Sequence, residues 1–188
     1  MAENRIEKGQ IEARDGLHAP RLVKKLYFEA FPREERIPFP LLRLLAFRRG
    51  AAFTEYYLGN RFCGFTYTFE QGETAFLMFF AVTAETRGRG AGSEILRLLR
   101  EKYGEKAVIL DIEPPDPGAE NAEQRLRRLS FYEKNGFFDT GFYLDEYCGR
   151  LKLLSSKREL DKESCRALLK RLSVGEWSFR LEEKREVY

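Results

Sequence analysis

Residues 76–93 read FLMFFAVTAETRGRGAGS, and the rest of the fold can be worked out from this stretch. An almost wholly apolar run, typical of a strand covered on both faces, is followed by alternating glycines and then by a helical pattern from Ser93. Closely spaced glycines at the start of a helix present free backbone N–H groups at the positive end of the helix dipole. Arg87 and Arg89 add positive charge. The stretch therefore predicts a phosphate-bearing ligand, a nucleotide or a pyrophosphate, bound near the glycines at 88, 90 and 92.

Two well-known glycine loops fit this spacing poorly. A P-loop ends in Gly-Lys-Ser/Thr, and here Gly92 is followed directly by Ser93. A dinucleotide-binding Rossmann loop is the better alternative, because Asp111 lies about 20 residues beyond Gly90, where a ribose-binding acid is expected. However, its first glycine directly follows the strand, whereas residues 83–87 intervene here. Its third glycine also stands three positions after the second, whereas here the distance is two.

The pattern of apolar residues predicts one α/β domain over residues 1–155 and a C-terminal extension over 156–188. Gly59-Asn60 is a two-residue hairpin signal between two strands. Two helices are predicted to precede any strand. The charge run Glu182–Glu186 is interpreted as a solvated tail. Helices are predicted at three- and four-residue apolar spacing over Ala19–Phe31, Leu41–Phe47, Ser93–Tyr103, Glu120–Asn135 and Asp161–Leu172. Strands are predicted over Ala51–Leu58, Arg61–Phe69, Ala75–Val82, Ala107–Glu113, Phe137–Leu144 and Arg150–Leu154.

The composition of the chain disfavours several classes of function. Its 33 basic and 30 acidic residues leave a net charge of +3, too even a mixture for a broad nucleic-acid-binding field. No apolar run approaches the roughly 20 residues of a membrane span, and the first residues lack a secretion signal, so we expect a cytoplasmic protein that is not bound to a membrane. The three cysteines are far apart and there is one histidine, which favours neither a disulfide framework nor a metal site.

Two landmarks in the right order resemble the GCN5-related N-acetyltransferase (GNAT) family. The first is the loop Arg87–Gly92, with Ala81-Val82 before it in the usual register. The second is the aromatic-tyrosine pair Phe131-Tyr132, followed by Gly136-Phe137. The resemblance covers roughly Ala19–Leu154. One position departs from the family pattern, because Arg125 stands seven residues before the tyrosine, where the family often has asparagine.

The resemblance implies a mixed, mostly antiparallel, twisted sheet with helices on both faces, and acetyl-CoA as co-substrate. It implies that the amine attacks the thioester directly, in a cleft where the strands Phe76–Val82 and Ala107–Glu113 part, and that no metal is needed. The hydroxyl of Tyr132 would protonate the departing thiolate, as general acid catalysis requires. Backbone groups of Ala81, Val82 and Thr83 would line the pantetheine arm and polarise the thioester carbonyl. The amides that would hold the pyrophosphate are those of Arg87, Gly88, Arg89, Gly90, Ala91, Gly92 and Ser93.

The amine must also lose a proton, and Asp111 and Glu113 are the candidate bases. Alternation along a strand places both carboxylates on one face, about 6 to 7 Å apart. Burial and mutual repulsion would then raise at least one pKa towards a useful value. The alternative is a salt bridge to Arg125 or Arg128 on the following helix. Glu113 is the preferred base, because it is nearer the end of the strand.

Two functions of other classes remain open. A non-catalytic acyl-CoA-binding regulatory protein is favoured if arginines bind both carboxylates. An interaction module would use the helix Asp161–Leu172 to form a homodimer or to cover the acceptor site. For the enzyme, the acceptor is a primary amine of a small molecule or of a protein, and the motifs do not identify it.

Overall fold

The computed structural model describes residues 5–146, 149–172 and 180–183. Five helices and eight strands are present in these ranges, together with short 3-10 turns at Arg33–Glu35 and Ala84–Thr86. The helices are α1 (Pro20–Ala30), α2 (Phe39–Leu45), α3 (Ala91–Tyr103), α4 (Ala122–Lys134) and α5 (Lys162–Leu172). The strands are β1 (Ile11–Asp15), β2 (Ala51–Leu58), β3 (Arg61–Gln71), β4 (Thr74–Val82), β5 (Ala107–Ile112), β6 (Phe138–Glu146), β7 (Gly149–Ser155) and β8 (Arg180–Glu183).

Hydrogen bonds join the strands in the order β1-β2-β3-β4-β5-β7-β6-β8. The pair β4 and β5 is parallel, with Thr74–Phe76 opposite Ala107–Ile109. The pairs β1 with β2, β2 with β3, β5 with β7, β6 with β7 and β6 with β8 are antiparallel. This mixed, mostly antiparallel sheet confirms the predicted fold class.

The described chain divides into two compact units. Unit 1 contains the residues up to Phe69 and Leu77–Lys102, and unit 2 contains Glu70–Phe76 and the residues from Tyr103 onwards. The predicted boundary at Ser155, between a catalytic domain and an extension, stays a prediction.

Unit 1 is built around an aromatic core. Tyr27 of α1 is fully buried, and its ring packs edge-on against Phe79 of β4, with the ring centroids 5.1 Å apart. Helix α1 lacks a side-chain cap of its own. The buried Glu55 of β2 replaces that cap, because its Oε1 accepts the Ala19 N–H at 2.8 Å. The predicted hairpin between β2 and β3 is confirmed, with Leu58 opposite Arg61.

In unit 2, β7 lies between β5 and β6. The residues of β5 are buried except Asp111, which is half-buried. Helix α5 buries its apolar face, consisting of Cys165, Leu168, Leu169 and Leu172. The predicted role of this helix in forming a homodimer or covering the acceptor site stays a prediction.

Two strands contradict the sequence predictions. The prediction that two helices precede any strand was wrong, because β1 precedes α1 and pairs with β2. Only Ile11 of β1 is buried, so β1 lacks the apolar alternation of a half-buried strand and instead has the charged character common at sheet edges. The solvated tail was also wrong in part, because β8, which ends at Glu183, pairs with β6. Residues 184–186 of the predicted charge run lie outside the described residues.

Candidate active site

The glycine loop of unit 1 connects β4 to α3 in the predicted way. Strand β4 ends at Val82, and α3 begins at Ala91. Gly88 has φ +72° and Gly90 has φ +96°, a region of backbone conformation that favours glycine. The first amides of a helix have no partner within the helix. Those of Ala91 and its next two neighbours, Gly92 and Ser93, are thus donors at the positive end of α3, and the loop fits a pyrophosphate chemically.

Threonines anchor the loop to β3. The Thr83 N–H donates to the carbonyl of Cys63 at 2.9 Å, and the Thr83 and Thr86 hydroxyls are 3.0 Å apart. Since the Thr83 amide is engaged by Cys63, it is not available to polarise a thioester carbonyl. The guanidinium Nε of Arg87 donates to the carbonyl of Val82 at 3.0 Å, so this side chain ties the loop back to the end of β4.

A glycine that sequence reasoning did not single out lies against the end of β4. Gly64 lies in β3, and a Cβ built on it would be only 2.5 Å from the carbonyl oxygen of Ala81 and 3.4 Å from Cα of Val82. Only a residue without a side chain therefore lets β3 approach β4 this closely at the predicted pantetheine contact. A glycine inside an apolar strand was the available signal.

Tyr132 of α4 belongs to unit 2. Its ring is half-buried and packs edge-on against Phe137, with centroids 5.8 Å apart. The pKa of Tyr132 is raised to about 12, chiefly by burial, with Arg128 acting to lower it and Asp111 acting to raise it. The hydroxyl therefore stays protonated at neutral pH, which is the state that a general acid needs.

Two of the three predicted catalytic residues lie within electrostatic reach of each other. Asp111 of β5 acts on the pKa of Tyr132, and it lies opposite Leu153 of β7 in the sheet. Of the two candidate bases, Asp111 is the one that acts on the pKa of Tyr132.

Glu113 forms the arginine contacts that were the alternative to catalysis. Its carboxylate oxygens lie 2.9 Å from a guanidinium nitrogen of Arg125 and 3.5 Å from one of Arg128. Asn121, which sequence reasoning missed, donates its Nδ2 to the same carboxylate at 3.2 Å. Arg125 also donates to the Pro114 carbonyl at 3.2 Å. This cluster connects the loop after β5 to α4, and Arg125 is a member of it.

The model of the acetyltransferase (GNAT) family matches residues 21–137. The chain belongs to this family. Both landmarks, the glycine loop and Phe131-Tyr132, lie within the matched residues, so the resemblance noted in the sequence is confirmed. Membership also confirms the class of enzyme, an acetyltransferase that uses acetyl-CoA as co-substrate.

Solved structures show the same fold at low sequence identity. A GNAT-family acetyltransferase from Bacteroides thetaiotaomicron has 23% identity and a TM-score of 0.64, covering 81% of this chain and 87% of its own. A GNAT acetyltransferase from Elizabethkingia anophelis, solved with acetyl-CoA bound, has 16% identity and a TM-score of 0.58, covering 79% and 98%. The ribosomal-protein-S18-alanine N-acetyltransferase from Escherichia coli has 16% identity and a TM-score of 0.56, covering 81% and 97%. A search of curated protein sequences gives no significant match.

Two further properties concern the described residues only. None of the helices in these ranges is long and apolar enough to cross a membrane. Within the same ranges, no group of three or more histidine, cysteine, aspartate or glutamate side chains is arranged to hold a metal ion.

Proposed function

We propose that this acetyltransferase transfers the acetyl group to a primary amine by direct attack, with Tyr132 as the general acid and Asp111 as the general base. The observation that carries the proposal is the electrostatic interaction of the two groups, by which Asp111 raises the pKa of Tyr132. A tyrosine that is protonated at neutral pH lies within the electrostatic influence of a half-buried carboxylate. One group can give a proton and the other can take one, as aminolysis of a thioester requires.

The glycine loop is the proposed binding site for the cofactor. Acetyl-CoA supplies the activated acetyl thioester. The amides at the start of α3 would accept the pyrophosphate, helped by the charges of Arg87 and Arg89. The backbone of Ala81 and Val82, at the end of β4, would line the pantetheine arm. The fold shared with a relative that was solved with acetyl-CoA bound supports this assignment.

The contacts of Glu113 favour a structural role over the predicted catalytic one. Two arginines and Asn121 surround its carboxylate, so both of its oxygens already have partners in the protein. We therefore assign to Glu113 the connection of α4 to the loop after β5, and we keep Asp111, through its interaction with Tyr132, as the proposed base, directly or through water.

Proteins with this fold are named for amine acceptors of more than one kind. The relative from Escherichia coli acts, by its name, on an alanine of a ribosomal protein. A further structure of the same fold is named an aminoglycoside 6'-N-acetyltransferase and has 13% identity and a TM-score of 0.60. Protein and small-molecule amines are therefore both candidate acceptors for this chain.

The test is the Tyr132→Phe variant, assayed by CoA release with a panel of protein and small-molecule amines. We expect kcat to fall by about 100-fold or more, as on loss of a general acid, while calorimetry gives an unchanged Kd for acetyl-CoA. The matched control is Tyr56→Phe, because its hydroxyl contacts the buried Thr66 at 3.1 Å, and it should leave kcat unchanged. Unchanged kcat in Tyr132→Phe across the pH range would refute the assignment.

A second pair of variants separates the two carboxylates. Asp111→Asn should remove the acidic limb of the pH profile of kcat/KM. Glu113→Gln should retain that limb and instead lower the thermal unfolding midpoint, because it weakens the contacts with Arg125 and Arg128. The reverse result would return the role of base to Glu113.

A second candidate is a non-catalytic acyl-CoA-binding regulator, since Glu113, one of the two carboxylates, has the arginine contacts that this function would require of both. That function predicts tight binding of acetyl-CoA without release of CoA for any amine in the panel. Turnover with one amine, lost in Tyr132→Phe, would exclude it.

A further inference from the structure

The residues before β1 lie against the glycine loop, within unit 1. We call residues 5–10 the N-terminal strap. The N–H of Ile6 donates to the carbonyl of Arg89 at 2.7 Å, and the N–H of Gly9 donates to Oε1 of Glu94, also at 2.7 Å. The side chain of Ile6 is buried in a cluster with Ala91 and Ile95. One backbone–backbone hydrogen bond, one hydrogen bond from a backbone N–H to a carboxylate, and one buried side chain therefore fix the strap to the loop and to the first turn of α3.

The bond from Ile6 controls the direction of a loop amide. In a trans peptide the C=O and the following N–H point in opposite directions, and the described residues contain no cis peptide. Because Ile6 holds the carbonyl of Arg89, the N–H of Gly90 must point away from the strap. The carbonyl of Ile6 lies 3.3 Å from where a Cβ on Gly90 would be, so the strap also closes that side of the loop.

Glu94 connects the strap to α3. Its N–H donates to the carbonyl of Gly90 at 3.1 Å, which fixes the next peptide of the loop. Its carboxylate accepts the N–H of Gly9 and two hydrogen bonds from Arg97, each at 2.8 Å. The helix dipole favours a carboxylate in the first turn of α3, while its charge repels an anionic ligand. The hydrogen bond from the N–H of Gly9 makes this carboxylate an anchor of the strap.

We propose that Ile6 is a positioning residue for the cofactor. It orients the Arg89–Gly90 peptide, so that the amide of Gly90 is preset to donate to the pyrophosphate. The proposal rests on the assignment of the glycine loop as the pyrophosphate site. It adds that residues about 80 positions earlier in the chain set the affinity of that site, and that they act on the pyrophosphate part of the cofactor alone.

The first experiment compares Ile6→Pro with Ile6→Ala in the full chain. Proline has no N–H, and alanine keeps the donor while it also removes most of the buried side chain, so the difference between the variants isolates the hydrogen bond. A hydrogen bond is worth about 0.5 to 1.5 kcal/mol net, and 1.4 kcal/mol is tenfold in affinity. We expect the calorimetric Kd for CoA to be about 2- to 10-fold weaker in Ile6→Pro than in Ile6→Ala.

A second ligand tests whether the effect of Ile6 is specific to the pyrophosphate. The KM for acetyl-pantetheine, which carries no pyrophosphate, should be equal in the two variants. Equal affinities for CoA, or equal losses for CoA and acetyl-pantetheine, would overturn the role of Ile6. If the wild-type protein does not bind CoA, the proposed pyrophosphate site fails as well, so the two failures are distinguishable. Arg5→Ala is a further control. If it weakens CoA binding as much as Ile6→Pro does, the weaker binding comes from the loss of charge in the strap and not from the hydrogen bond of Ile6.

The second experiment uses the other anchor and does not depend on proline being tolerated. Glu94→Gln and Glu94→Ala both remove the negative charge, but glutamine keeps an oxygen that accepts the N–H of Gly9. Loss of charge alone predicts tighter CoA binding in both variants. The strap predicts that Glu94→Ala binds CoA about 2- to 10-fold more weakly than Glu94→Gln. Equal affinities of the two variants would overturn the proposal.

Discussion

Replacement of Gly64 by alanine tests whether the close approach of β3 to β4 builds the cofactor-binding backbone. A Cβ at this position would lie 2.5 Å from the carbonyl oxygen of Ala81 and 3.2 Å from Cδ1 of Ile95. Even a close carbon–oxygen contact in proteins is about 3.3 Å, so the new methyl group and Ala81 must separate by about 0.8 Å. The obstacle is backbone, which cannot rotate away as a flexible side chain can. The end of β4 must therefore move.

The expected cost follows from this displacement. Overpacking of a core costs typically about 1 to 3 kcal/mol, and each kcal/mol lowers the unfolding midpoint of a chain of this length by about 2 to 4 °C. A shift of nearly 1 Å at backbone that positions a substrate can lower kcat/KM by up to about 100-fold. Calorimetric unfolding and steady-state kinetics measure the two effects. The matched control is Gly118→Ala, whose Cβ would be 3.4 Å from Asp116 Oδ1, and it should change stability by less than about 0.5 kcal/mol. Wild-type unfolding and kcat/KM in Gly64→Ala would refute the reasoning.

Two further predictions concern ionisable groups. The hydrogen bonds from Arg97 lower the pKa of Glu94 below its ordinary value of 4.5, so this carboxylate stabilises the fold above about pH 4.5, and the contribution is lost as the pH falls through the lowered pKa. Urea unfolding should therefore show a smaller loss of stability between about pH 5 and pH 3 in Glu94→Gln than in the wild type, and parallel curves would contradict this. Burial raises the pKa of Cys63 to about 11 and of Cys165 to about 12. In a Cys148→Ser variant a thiol reagent at pH 8 should modify neither cysteine until the protein unfolds, and rapid modification of the native protein would show that this burial is wrong.

The elements with a strong internal pattern were predictable from the sequence, and the two edge strands were not. Helix α1 has apolar residues at the helical period, β2 and β3 are rich in aromatic residues, and β4 and β5 are almost wholly apolar, and their predicted bounds agree with the structure to within about two residues. Strand β1 has one buried residue, Ile11. It is a strand because its backbone pairs with β2 over Ile11–Asp15. That pairing joins residues more than 35 positions apart and has no counterpart in the local pattern.

In the candidate site, too, some residues could be predicted from the sequence and others could not. The glycine loop is contiguous in sequence, and Tyr132 stands in a short motif, so the amino-acid sequence alone is enough to place both. Strand alternation assigns Glu113 to a face but cannot say which side chain will be nearest to it there. The choice of an arginine partner depends on how α4 follows the loop after β5, and on Asn121, whose Nδ2 reaches the same carboxylate.

The glycine loop also shows what a binding motif leaves undetermined. Its glycines can adopt the required φ values. This conformational freedom alone does not direct an N–H towards a ligand, because glycine can adopt many other conformations as well. In this protein contacts from outside the motif hold the loop, because Ile6 donates to the carbonyl of Arg89 and Cys63 accepts the Thr83 N–H. The two contacts come from segments far apart in sequence. Variation in such segments could therefore change cofactor affinity among chains whose glycine loops are identical, and affinity should follow the contacts rather than the motif.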